Sequence, residues 1–254
     1  MFRNATTISF LLIATRLGAQ TSPAPVTPVP PPPITNLQRQ VERDERIIHD
    51  YANLARYHDE DLKVGPPLPG ENRVVFMGDS ITDGWGHNSS SFFPGKPYIN
   101  RGIGGQVTSQ MLLRFRPDVL NLQPKVVLIL AGTNDIGGNL GPTTDDVIEG
   151  NLMSMVELSR ANHIRVVLAS LLPVCDSLQP QSAKRSPARI VAINSWMKTY
   201  AAEHDVIYLD YYSHMLDDKG MLRSDLTTDC LHPNSAGYDI MAPLAEDAIK
   251  KALP

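Results

Sequence analysis

Five short apolar runs punctuate the chain between residues 74 and 209, and that rhythm constrains the fold more than any other feature. VVFM (74–77), VVLIL (126–130), IRVVLA (164–169) and VIYL (206–209) are strong, and a weaker run covers 98–100. They are rich in Val, Ile and Leu, too short for helices, and apolar at successive positions. They therefore read as strands covered on both faces. Amphipathic stretches at about 108–121, 144–162 and 187–203 separate them, and a closing helical region is expected to be split at Pro243. Strands alternating with helices imply a parallel sheet with helices on both sides: an α/β, three-layer α/β/α domain with five strands. The 254 residues suffice for one such domain and its own packed core. Sites in these sheets gather just beyond the carboxyl ends of the strands.

The first 69 residues follow a different logic. MFRNATTISFLLIATRLGAQ places Arg3 before a short apolar stretch and ends on small residues, the layout of a secretory signal peptide over residues 1–19, although Arg16 is untypical. An apolar tail without that role is the alternative. The apolar stretch is far too short to span a bilayer, and no other segment offers a membrane span. Residues 20–35 contain TSPAPVTPVPPPPIT, an uncharged polyproline spacer. Residues 36–69 hold one amphipathic helix, capped at Asn36, whose Leu37, Val41, Ile48, Tyr51 and Ala55 are expected to dock on the body before GPPLPG ends it. The domain proper then runs from 70 to 254. A net charge of −4 gives no basic surface for nucleic acid.

Four segments fall at strand ends or in loops and carry residues able to do chemistry. Gly78-Asp79-Ser80 follows the first strand, and Asn100 to Gln106 (NRGIGGQ) follows the second. Gly132-Thr133-Asn134-Asp135 follows the third, and Asp229-Cys230-Leu231-His232 lies after the fifth. Each alone reads as a turn. The glycine loop is not a dinucleotide fingerprint, since Val107 stands where the last glycine belongs. Together they supply an acyl-transfer site. Ser80 is a nucleophile once a base takes its proton; His232 is that base, and Asp229, three residues earlier, holds the imidazole. The Ser80 and Gly105 N–H groups and the Asn134 side-chain amide would receive the oxyanion. No G-x-S-x-G occurs, which excludes the nucleophile elbow of α/β-hydrolases.

GDSIT (78–82), the Gly105 that ends NRGIGG, GTND (132–135) and DCLH (229–232) resemble, in order, the Ser, Gly, Asn and His blocks of the SGNH (GDSL) hydrolase superfamily. The similarity covers residues 70–252. It is greatest to the branch with platelet-activating-factor acetylhydrolase-like and bacterial carbohydrate-acetylesterase-like proteins. The resemblance implies a flavodoxin-like fold, a Ser80–His232–Asp229 triad, and Gly105 and Asn134 in the oxyanion hole. It implies no cofactor or metal, and an activity on short-chain, acetyl-type esters of small molecules or carbohydrates. An acyltransferase, a lysophospholipase or a thioesterase would use the same residues. A non-catalytic flavodoxin-like binding module would need the loops but not Asp-x-x-His. Export would place the chain outside the cell or in the periplasm.

Other residues have plainer readings. Asp79, Asp83 and His87 lack a metal-ligand spacing. His87 and His214 are placed to line a cleft or to lie on the surface. Trp85 reads equally as a wall of the site or as core, and Arg101 as the partner of a surface carboxylate. Cys175 and Cys230 are expected as two free, partly buried thiols. Pairing is the alternative in an oxidising compartment, and it requires Cα atoms within about 4.4–6.8 Å of one another.

Overall fold

The computed structural model describes residues 35–87 and 91–253. The signal-peptide reading of 1–19, and the spacer 20–35 apart from Thr35, lie outside the described residues. Five parallel strands form one sheet: β1 (Val74–Gly78), β2 (Tyr98–Gly102), β3 (Val126–Leu130), β4 (Arg165–Ala169) and β5 (Ile207–Leu209). Their order is β2-β1-β3-β4-β5, the flavodoxin-like arrangement. The chain winds outward in one direction from β1 and in the other from β3. The crevice between the carboxyl ends of β1 and β3 is thus the switch point where such sheets bind ligands.

Alternation along each strand feeds two separate cores. Val75 and Met77 of β1 and Val127 and Ile129 of β3 pack on α4 (Thr108–Asp118), α6 (Asp145–Ala161) and α7 (Pro187–Glu203). Val74, Phe76, Val126, Leu128 and Leu130 face α8 (Ser235–Ala252) on the other side. Trp85 is buried there among Phe76, Phe93 and Tyr238, so its core reading holds and it does not wall the site. Pro243 does not split the closing helix; α8 runs through it without a break.

The N-terminal expectation needs correcting. In place of one helix there are two, α1 (Asn36–His49) and α2 (Ala55–Val64). Thr35, not Asn36, caps the first: its hydroxyl accepts from Gln38 N–H while the Gln38 side chain accepts from Thr35 N–H. The break arises at Asp50, whose carboxylate accepts from the N–H groups of Leu54 and Ala55, so a side chain replaces the helical ladder. Val41 and Ile48 are exposed, so this part of the stripe read as a docking face turns to solvent. Docking rests on α2, where buried Tyr57 donates to Gly102 O. Arg101 stacks 4.5 Å over the Tyr57 ring and bonds Asp61, at 2.9 Å from Nε and 2.6 Å from Nη2. Arg101 thus pairs with a carboxylate, as expected, but as a buried residue.

Candidate active site

β1 ends on glycine because nothing larger fits. A Cβ on Gly78 would lie 2.1 Å from Thr82 Oγ1, and one on Gly102 only 2.0 Å from Asp83 N. The ends of β1 and β2 therefore press against the short helix α3 (Ser80–Asp83) that opens at the serine. Asp79 caps α3, its Oδ1 accepting from Ile81 N–H at 2.9 Å. Tyr238 of α8 donates to Ile81 O at 2.8 Å and fixes the same turn from behind. The Gly-Asp-Ser step is thus a strand-to-helix corner that presents Ser80 at the switch point.

The loop after β5 brings His232 to it. Ser80 Oγ lies 2.8 Å from His232 Nε2, and His232 Nδ1 lies 2.6 Å from Asp229 Oδ2. An ionised carboxylate only accepts, so Nδ1 carries the proton and Nε2 is left to accept from the serine hydroxyl. Asp229 Oδ1 also takes the N–H groups of Leu231 (3.0 Å) and His232 (2.7 Å), which folds the Asp-to-His turn around the carboxylate. Burial pushes the Asp229 carboxyl up, but the hydrogen bonds from His232 and Leu231 outweigh it and hold the group below its ordinary value. Thr227, which no motif marks, donates from its hydroxyl to His232 O at 2.7 Å and pins the end of the turn.

The segments after two further strands carry the other candidate donors. Gly105 takes φ +79°, a left-handed conformation that suits glycine. The preceding Gly104 N–H is held by Asp83 Oδ2 at 3.2 Å. Neither Gly105 N–H nor Ser80 N–H meets an acceptor among the described residues. Asn134, in the short helix α5 (Thr133–Ile136) after β3, is buried. Its Nδ2 donates to Gln106 O at 3.0 Å, so one of its two amide hydrogens remains available. Gln106 closes the glycine segment without a role of its own in the motif, and no motif contains Arg185, whose Nη2 donates to Asn134 Oδ1 at 3.2 Å. Arg185 sits in a polar stretch, SAKRSP, that looks like surface.

The two cysteines are joined: Cys175 and Cys230 form a disulfide with Cα atoms 4.7 Å apart, and no free cysteine remains among the described residues. The expectation of free thiols is overturned. Adjacent strands β4 and β5 deliver both loops to one edge, and Cys175 N–H donates to Cys230 O at 3.1 Å, which brings the two backbones within bonding range. His87 and His214 are exposed and lean on carbonyls of their own turns, Asp83 O and Asp210 O. Among the described residues no cluster of three His, Cys, Asp or Glu could hold a metal ion.

Asp79 carries an electrostatic penalty that can be measured. Its Oδ2 has no hydrogen-bond partner, and burial pushes its carboxyl up to about 6. The Ile81 N–H, His232 and Arg185 pull in the opposite direction, and Asp135 adds to the push. A folded-state value above the unfolded one means that the group's favourable contribution is complete below about pH 4 and is lost as pH rises through 6. Asp79→Asn keeps the capping oxygen and removes the charge. It is expected to raise stability at pH 8 by about 1–3 kcal/mol and to change little at pH 4. Urea unfolding at the two pH values checks this, and equal stabilities at pH 8 would contradict it.

A GDSL-like lipase/acylhydrolase family model matches residues 76–240. A GDSL-like lipase structure from Bacteroides thetaiotaomicron is 42% identical, covers 80% of this chain and 100% of that one, and superposes with a TM-score of 0.76. An acetylxylan esterase from Geobacillus stearothermophilus, in a catalytic-mutant form, shares the fold at 21% identity (TM-score 0.58, covering 71% of this chain and 94% of that one). Among curated proteins, a Bacillus subtilis lipoprotein is 35% identical over 81 residues, 31% of this chain and 33% of that protein. The chain spans a third to a half of the length of the curated relatives it matches. These likenesses support a hydrolase role. With the model match running from β1 to α8 across every strand-end segment described above, the chain belongs to the GDSL-like lipase/acylhydrolase family.

Proposed function

We propose that the chain is a serine ester hydrolase acting on short-chain, acetyl-type carboxylic esters. The observation that carries this reading is the pair of contacts from Ser80 Oγ to His232 Nε2 (2.8 Å) and from His232 Nδ1 to Asp229 Oδ2 (2.6 Å). Ser80 attacks the ester carbonyl as His232 takes its proton, and Asp229 stabilises the resulting imidazolium. The oxyanion is received by the N–H groups of Ser80 and Gly105 and by the Asn134 amide. His232 then protonates the leaving alcohol, and a water deprotonated by His232 releases the acid from Ser80.

Asn134→Ala should lower kcat about a hundred- to thousandfold with little change in KM, because a donor of this kind works chiefly in the transition state. A loss mainly in KM would place Asn134 in ground-state binding instead.

A short acyl group is favoured by the small cavity on the far side of the glycine loop from the strand end. A cavity of about 140 Å³ lies beside Gly105, bounded by Ile47, Tyr51 and Asn53 at the α1–α2 junction and by Gln110 and Leu140. That is small beside the roughly 300–1,000 Å³ of pockets that take drug-sized ligands. Over p-nitrophenyl esters of increasing length, rates are expected to peak between acetyl and butyryl. A maximum at eight or more carbons would overturn this reading, and acetylated xylan and pectin fragments test the carbohydrate class.

The Cys175–Cys230 disulfide and the lipoprotein relative both favour export to an oxidising compartment. Among the described residues no helix is long and apolar enough to cross a membrane.

A further inference from the structure

We infer that Arg185 is a positioning residue of the oxyanion hole, holding the Asn134 amide with its NH2 end turned toward the Gly105–Gln106 loop. This rests on the esterase reading above, and it adds a residue that the four family motifs do not contain.

The argument begins with the ambiguity of an asparagine. Its amide has an accepting end and a donating end of nearly equal size, and only the donating end can serve an oxyanion. Two neighbours remove the choice. Gln106 O can only accept, so it selects Nδ2, at 3.0 Å. The Arg185 guanidinium can only donate, so it selects Oδ1, at 3.2 Å. Reversing the amide would oppose carbonyl to carbonyl and cation to NH2 in a buried place, where an unmet polar group is expensive.

Arg185 is itself held. Its side chain is buried, Nη1 donates to Gln181 Oε1 at 2.9 Å, and its own N–H donates to Gln181 O at 2.7 Å. Gln181 N–H in turn donates to Cys175 O, at the root of the disulfide. The guanidinium lies so close to Gly137 that a Cβ there would come within 3.1 Å of Arg185 Cζ. Burial pulls the Arg185 pKa down, and the nearby carboxylates of Asp79 and Asp229 favour the charged form. Its Nε, also buried, has no partner among the described residues, so two hydrogen bonds and these carboxylates compensate the charge.

A double-mutant cycle on p-nitrophenyl acetate tests this. Arg185→Met should lower kcat roughly 10–50-fold with KM within about twofold, less than outright removal of the donor. In an Asn134→Ala background the same substitution should change kcat by less than about threefold, because no amide remains to be oriented. Equal fold-losses in both backgrounds would show that Arg185 acts elsewhere and would overturn the inference. Arg185→Lys, which keeps the charge with one compact donor group, should fall between wild type and Arg185→Met. It carries the cycle if the methionine variant does not fold. If wild-type protein fails to hydrolyse esters, the functional reading fails separately. The side-chain amide resonances of Asn134 then decide: they should shift and exchange faster in the Arg185 variant, and an unchanged spectrum would sink the proposal.

Discussion

Ser80→Ala is expected to reduce hydrolysis of p-nitrophenyl acetate by on the order of 10⁴-fold or more while leaving the protein folded. The substitution removes a part-buried hydroxyl whose hydrogen-bond partner is His232 Nε2, and the His232 side chain is partly exposed, so water can replace the lost contact cheaply. The strand-to-helix corner survives, because its capping comes from Asp79 and its support from Tyr238. In the proposed mechanism the nucleophile and its base act as one unit. His232→Ala should therefore match the loss within about tenfold, and Ser80→Ala with His232→Ala should be little worse than either alone. Asp229→Asn tests the remaining member, since an amide NH2 facing Nδ1 would favour the wrong tautomer of the ring. Circular dichroism and thermal unfolding verify the fold of each variant, and wild-type-like turnover in Ser80→Ala would end the serine-nucleophile reading.

How much of this was legible in the sequence depends on whether the physics was local. The strands were, because a run such as VVLIL can only be satisfied by burial on both faces, and β3 occupies Val126–Leu130 as read. The Asp229–His232 contact was also legible, since three residues of turn bring the two side chains together without help from the rest of the fold. The N-terminal helix was misread because its periodicity continues through Asp50, whereas the Asp50 carboxylate ends the ladder by capping Leu54 and Ala55. Its apolar stripe was misread as well: spacing shows that one face is apolar, not what that face meets. Pro243 was given the strength of a helix breaker, yet α8 is packed by Met241 and Ala245 on either side of it, and that burial outweighs one lost hydrogen bond. The roles of Arg185 and Gln106 were hidden for a different reason. Their partners lie 51 residues (Asn134 for Arg185) and 28 residues (Asn134 for Gln106) away, across loops, with no local pattern to betray them.

The disulfide gives the second large effect, and it is expected in stability rather than in chemistry. Cys175 and Cys230 are 55 residues apart, and by the chain-entropy model the cross-link removes about 4 kcal/mol of freedom from the unfolded chain. Replacing both cysteines by alanine should therefore lower Tm by about 8–16 °C for a domain of this size. Alanine is the fair test because both side chains are buried in the apolar core on the α8 side, where a serine hydroxyl would add its own desolvation penalty. Activity well below Tm should nevertheless stay within a few-fold of wild type. The turn that bears Asp229 and His232 is folded by its own carboxylate, and the Cys175 N–H to Cys230 O bond persists without sulfur. Cys230 itself sits at φ +66°, a conformation alanine tolerates no worse, so the substitution adds no backbone strain at that site. Thiol titration of the denatured, unreduced protein should find no free thiol, and thermal unfolding with and without reductant should reproduce the mutant shift. An unchanged Tm would mean that the unfolded chain is already compact around this loop. A collapse of kcat at low temperature would mean that the bond, and not the Asp229 turn, sets the position of His232.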